Sequence, residues 1–229
     1  MTHEQMRAGR LKVAVTQLDA AKRLGVSQPY LSQLEKGERP IPPELARAAA
    51  LLYRLPATVL PILEFVAQGA PADPDRLARQ LAGLGYPGFA HLQGTAENPA
   101  AVLLEALVQD DLDVRLAEAL PWVVLTYPDL DWSWLVREVK IRDVQNRLGF
   151  VVALARQLAA TRPLLRKALE PISTVANELE RSRLAREDTL CRESMTQAER
   201  EWLATTRSAL ARHWNLLTGL SADQLAHVF

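Results

Sequence analysis

This chain of 229 residues predicts an all-α fold in two parts, and three observations support that expectation. Ala, Leu and Arg are abundant while β-branched runs are few, which favours helix nearly throughout. Helix-capping residues followed by apolar positions three and four apart recur along the chain. One stretch breaks that pattern: Gln68 to Asp75, QGAPADPD, has the glycine, proline and small-residue composition of a linker. The length suits two domains. Residues 1–67 are therefore expected to form the first, 68–73 to connect, and 74–229 to form a larger helical one.

Charge divides the same way. The whole chain balances 27 Lys/Arg against 27 Asp/Glu, yet residues 1–66 hold nine basic against six acidic side chains, and the remainder eighteen against twenty-one. So small a basic excess implies that any nucleic acid is held by two copies acting together. The single Cys191 excludes an internal disulfide, and the four histidines lack zinc-ligand spacing, so neither metal nor cofactor is expected. No signal pattern and no apolar run of membrane-spanning length is present. A cytoplasmic protein without a membrane partner is the expectation.

The most informative stretch is Thr16 to Arg39, TQLDAAKRLGVSQPYLSQLEKGER. Thr16 can cap a helix whose apolar positions Leu18, Ala20, Ala21 and Leu24 lie mostly on one side, and Gly25 can end it in the left-handed conformation. Val26 plugs the turn. Ser27 caps a second helix that places Leu31 and Leu34 inward and Gln28, Pro29, Ser32, Gln33 and Lys36 outward. Pro29 falls in the first turn, where a missing amide costs nothing. Two capped helices joined by a short glycine turn form the geometry that sets the second helix in a DNA major groove. Gln28 and Gln33 match the paired polar atoms of adenine, Ser32 can donate or accept, and Pro29 and Tyr30 offer apolar surface to a thymine methyl. Lys36 and Arg39 can meet phosphate beyond the helix end.

With T-Q, L-G-V-S-Q and L-S-Q-L-E-K-G-E-R-P in place, the first 66 residues or so resemble the Cro/CI-type (Xre) helix-turn-helix family. That resemblance implies a five-helix, lambda-repressor-like domain in which Gln17 contacts phosphate, Gln28 reads a base and Glu35 ties the domain internally. The opening MRAGRLKVAV departs from the family's usual arginine spacing while keeping Arg7, Arg10 and Lys12. The expected DNA-binding set is Thr16, Gln17, Ser27, Gln28, Pro29, Tyr30, Ser32, Gln33, Lys36 and Arg39.

Beyond the recognition helix, Pro40-Ile-Pro-Pro43 is a stiff connector. Glu44 to Leu55 follows as a helix with Leu45, Ala48, Ala49, Leu52 and Leu55 on its apolar face, and Thr58 opens a short fifth with Val59, Ile62, Leu63 and Val66. After the linker a helix runs from Pro74 to about Ala82. Gly83, Gly85 and Gly88 then spell G-x-G-x-x-G, but the motif follows a helix rather than a strand and contains Pro87, so an ordinary loop is expected. Asn98 caps a helix to Gln109, and another spans Leu112 to Leu120. Trp122 to Tyr127, WVVLTY, is the sole strand-like run, without a partner strand, and suggests a buried extended or helical segment.

Asp131 caps a helix bearing Trp132, Leu135, Val136 and Val139, with Gly149 a point of interruption before FVVALARQLA; the tryptophans suit a core. Leu165 to Leu179 forms an amphipathic stripe kinked or broken at Pro171. Glu178 to Glu193, dense in both charges, has the pattern of a solvated helix face that could meet a partner. Thr196 with Glu199 opens a last long helix carrying Leu203, Leu210, Trp214 and Leu217 to Gly219, and Ser221 with Gln224 caps a turn ending at Val228 and Phe229.

Three functions fit these features. The first is a sequence-specific transcriptional regulator, a repressor, that binds operator DNA as a homodimer through Ser27–Lys36. The second is an antitoxin that binds its cognate toxin through the second domain, with the charged segment after Leu179 as an arm. The third is enzymatic: Arg207 and His213 form an R-x5-H spacing that resembles HEPN-type ribonucleases. Six helical residues rotate the pair to a net offset of about 120°, which places them poorly for shared chemistry, so no enzyme is expected.

Overall fold

A computed structural model describes residues 1–62 and 73–225, and the chain divides into two units, Met1–Glu64 and Phe65–Phe229. Most of the expected linker, 68–72, lies outside the described residues.

Among the described residues four α-helices build the first unit: α1 (His3–Lys12), α2 (Gln17–Arg23), α3 (Gln28–Glu35) and α4 (Pro43–Leu52), followed by a 3-10 turn at Ala57–Val59. Each α-helix stops in the same way. The residue after the C-cap turns left-handed: Ala14 (φ 53°), Gly25 (69°), Gly37 (76°) and Arg54 (54°). Behind it the next amide reaches back over the last turn, as Val26 N–H does to Ala21 O (3.0 Å) and Glu38 N–H to Gln33 O (2.9 Å). These stops turn the helices around a core of Met6, Ala20, Ala21, Leu31, Leu34, Ala49 and Tyr53.

Several expectations for this unit change. The fourth helix ends at Leu52 rather than Leu55, because Arg54 adopts the left-handed conformation and Pro56 follows. Its buried positions are Ala46, Ala49 and Ala50, while Ala48 is exposed. Leu18 is 54% exposed: the inward face of α2 is set by Ala20, Ala21 and Leu24, and Leu18 stands about 100° around from Gln17. Over the described part of the expected fifth helix, the chain forms only the 3-10 turn at Ala57–Val59 and is extended at Leu60; Leu63 and Val66 lie outside the described residues.

The second unit runs α5 (Pro74–Gly83), a 3-10 turn (Pro87–Phe89), α6 (Pro99–Leu107), α7 (Val114–Thr126), α8 (Trp132–Ile141), α9 (Gln145–Thr161), a 3-10 stretch (Pro163–Ala168) and α10 (Leu169–Arg181). It continues as β1 (Asp188–Thr189), α11 (Gln197–Thr206), α12 (Ala209–His213) and β2 (Leu216–Leu217). Its centre is α9, which packs against α7, α8, α10 and α12 and buries side chains around its whole circumference. Gly149 does not interrupt α9. It lies beneath the Trp214 ring, where a Cβ would come within 2.2 Å of Cζ3, so glycine here serves close approach. Among the described residues no helix is long and apolar enough to cross a membrane.

The strand-like WVVLTY is helical, because α7 continues through Pro121 and buries Trp122, Val123, Val124 and Leu125. Trp122 stands edge-on to Tyr86 and Tyr127 in an aromatic cluster. The stripe is divided close to Pro171, where the 3-10 stretch Pro163–Ala168 gives way to α10, and Pro171 occupies the first turn of α10, where amides lack helical partners anyway. Gly83 ends α5 and Gly85 (φ 88°) follows its C-cap, so the glycine triplet terminates a helix. The charged run is helical only to Arg181. Beyond it the chain loops back onto Arg147 of α9, whose guanidinium donates twice to Asp188 (2.9 and 2.9 Å) and to the carbonyls of Leu107 (3.0 Å) and Gln109 (2.8 Å). That anchor sets β1 parallel to β2, Asp188 opposite Leu216 and Thr189 opposite Leu217. Cys191 is buried beside it, and burial pushes its thiol up to about 11. The expected last long helix is likewise divided: Thr196 and Glu199 form the capping box of α11, but Arg207 leaves helical geometry and Ser208 caps the separate α12. Ser221 N–H donates to Gln224 Oε1 (3.1 Å) as expected, while Val228 and Phe229 lie outside the described residues.

Candidate nucleic-acid interface

Helix α3 is held by its ends and its buried side. Ser27 Oγ accepts the Tyr30 amide (3.3 Å), Pro29 occupies the first turn, and Leu31, Leu34 and Glu35 face inward. Gln28, Pro29 and Lys36 are exposed, and Ser32 and Gln33 are half-buried along the flank. Thr16 caps α2: its hydroxyl accepts the Asp19 amide (3.1 Å) and donates to Asp19 Oδ2 (2.7 Å).

A chain of polar contacts runs from the core to this surface. Arg10 of α1 and Glu35 of α3, 8% and 4% exposed, meet in a two-pronged pair, Nε to Oε1 at 2.6 Å and Nη2 to Oε2 at 2.8 Å. Arg10 Nη1 also donates to Val15 O (3.1 Å). The hydrogen bond to Glu35 raises the arginine pKa further, so the guanidinium stays charged. Glu35 Oε2 accepts from Gln17 Nε2 (3.1 Å), and Gln17 Oε1 accepts from Gln28 Nε2 (2.7 Å). The polarity of this chain follows from chemistry. A carboxylate paired to arginine only accepts, so Gln17 must turn its NH2 toward Glu35 and its carbonyl toward Gln28. Gln28 then gives one N–H to Gln17 and keeps its carbonyl and its other N–H for a partner. An acceptor and a donor on one amide match adenine N6–H and N7 in the major groove.

Tyr53 lies under this network. Burial, followed by the nearby Glu35 charge, pushes its phenol up to about 12, and its buried hydroxyl has no hydrogen-bond partner among the described residues. Past α3, Lys36 Nζ stands 3.9 Å from Glu38 Oε1, and the Arg39 guanidinium lies over the Tyr30 ring, 5.7 Å from its centre. Tyr30 itself is half-buried and packs against the core.

The structure thus brings Gln17 and Gln28 into direct contact and sets Arg39 on Tyr30. Sequence inspection missed the part played by Arg10. Its signal was present, since Arg10 lies one helical turn past Met6 and falls on the inward face of α1, where a buried arginine requires an acid. Arg207 and His213 are not brought together in one helix. Arg207 closes α11 and bonds Leu216 O (3.1 Å) and Glu187 (2.9 Å), whereas His213 of α12 meets Glu180 (2.8 Å).

Two short capped helices joined through a left-handed glycine, with the polar side of the second open to solvent, define a DNA-binding helix-turn-helix. Residues 6–60 match a family model described as helix-turn-helix, and this N-terminal domain is of the Cro/CI (Xre) type. No curated protein and no solved structure matches the chain.

Proposed function

We propose that the chain is a sequence-specific transcriptional regulator of the cytoplasm, a repressor that binds operator DNA as a homodimer with α3 in the major groove. The observation that carries this reading is the Arg10–Glu35–Gln17–Gln28 chain, which presents an oriented amide at the exposed start of α3. Around it Ser32 and Gln33 extend the base-reading surface, Pro29 offers apolar contact, and the α2 start at Thr16 and Gln17, together with Lys36 and Arg39, meets phosphates. Two modules are required, because eight residues of helix and an excess of three basic charges fall short of the nanomolar affinity typical of specific operators. A regulatory rather than enzymatic role also fits the separate engagements of Arg207 and His213.

Selection from random duplexes with the full chain tests this. The expected product is a two-fold symmetric site with half-sites about one DNA turn apart. Gln28→Ala should weaken binding to it by roughly 1 to 3 kcal/mol while leaving non-specific affinity in place. Absence of any enriched duplex, with the protein folded, overturns the proposal.

A further inference from the structure

We propose that Tyr30 does not touch DNA but acts as the positioning residue for Arg39, holding its guanidinium at the end of the recognition helix to clamp one backbone phosphate.

Resting on the operator-binding function above, this inference assigns Tyr30 a different task from base contact. Three observations support it. First, Tyr30 is half-buried and packed against the Met6–Leu31–Tyr53 core, so its ring has little freedom to reach into a groove. Second, the chain beyond α3 is folded back by a left-handed Gly37 (φ 76°), with Gly37 N–H on Leu34 O (3.1 Å) and Glu38 N–H on Gln33 O (2.9 Å). That turn returns Arg39 alongside the helix instead of continuing its axis. Third, the guanidinium lies 5.7 Å from the ring centre, within the range where a cation is drawn to an aromatic face.

An exposed arginine otherwise samples many rotamers, and a phosphate contact must overcome that entropy. A guanidinium drawn to a ring still has N–H groups to offer phosphate oxygens. Tyr30 thereby reduces the ordering cost of a contact that carries no sequence information.

The test uses the full chain and the duplex recovered by selection, with four variants: Tyr30→Phe, Tyr30→Leu, Arg39→Gln and the Tyr30→Leu/Arg39→Gln double. Amide spectra verify that each is folded. Tyr30→Phe keeps the ring face and should bind as the parent does. Tyr30→Leu keeps apolar packing but removes the face; it should weaken binding about two- to fivefold, equally for selected and unrelated duplexes, and reduce the salt dependence. In the Arg39→Gln background the same Tyr30→Leu change should do nothing further. In the free protein, the ring-current shift of the Arg39 side-chain protons should persist in Tyr30→Phe and vanish in Tyr30→Leu.

A base-reading Tyr30 would behave differently: Tyr30→Leu would alter preference at one base pair, leave the salt slope intact and add its loss to that of Arg39→Gln. That result, or an absent ring-current shift in the parent, overturns the inference while leaving operator binding standing. Failure of the parent chain to bind any duplex selectively removes both, whatever the free-protein spectra show.

Discussion

Replacing Glu35 by alanine isolates what the buried pair contributes, because it leaves the Arg10 guanidinium 8% exposed with its two strongest acceptors gone. Breaking a buried pair from one side costs about 3–5 kcal/mol, since the remaining charge stays desolvated. A domain of some sixty residues has a total stability of roughly 3–9 kcal/mol at 0.05–0.15 per residue. The first unit of Glu35→Ala should therefore be close to unfolding. Amide hydrogen exchange of the full chain reads this unit by itself, through peptides spanning Leu31 and Leu34. Protection there should fall roughly a hundredfold to several-thousandfold, at a factor of ten per 1.4 kcal/mol, while peptides of α9 stay unchanged. The double Arg10→Met/Glu35→Leu leaves no charge unpaired and should recover most of the protection. It should nevertheless bind operator weakly, since Gln17 and Gln28 lose the acceptor that orients them. A drop in protection below about fivefold for Glu35→Ala, or a double variant as unstable as the summed singles, would falsify the energetic role given to the pair.

Two further outcomes follow from the same geometry. Tyr53 is held neutral to about pH 12 against an ordinary value near 10, chiefly by burial, so its phenol leaves stability unchanged below pH 10; between pH 10 and 12 only the unfolded chain ionises, and the first unit should lose about 3 kcal/mol over that window. Tyr53→Phe should remove one late-titrating phenol from the tyrosinate absorbance titration and leave the domain at least as stable at neutral pH, because the deleted hydroxyl has no partner among the described residues; loss of stability at pH 7 would contradict this. Gly149→Ala places a methyl in the Trp214 ring and should lower the urea stability of the second unit by about 1–3 kcal/mol, read by tryptophan fluorescence since all five tryptophans lie in that unit; an unchanged midpoint would show that the contact yields freely.

Local chemistry determined much of this protein before any fold was known. Ser27, Pro29 and Gly25 mark the start of α3 and the turn before it with residues whose backbone preferences act within a few positions, so the helix-turn-helix and its inward Leu31 and Leu34 were legible from spacing alone. The same holds for Asn98, Asp131 and the Thr196–Glu199 box. Three features were decided only by tertiary packing. Gly149 looks like a helix breaker, yet the helix passes through it, because propensity costs about 1 kcal/mol and the burial of Trp214 against α9 outweighs that. The charged run after Arg181 looks like a solvated helix, yet it loops onto Arg147, whose desolvated guanidinium needs Asp188 from 41 residues away. The polar chain from Arg10 to Gln28 links helices α1, α2 and α3, and no periodicity encodes which amide faces which carboxylate. Sequence sets what each short segment can do by itself; the fold decides which polar groups meet, since that depends on which charges have lost water and must find one another.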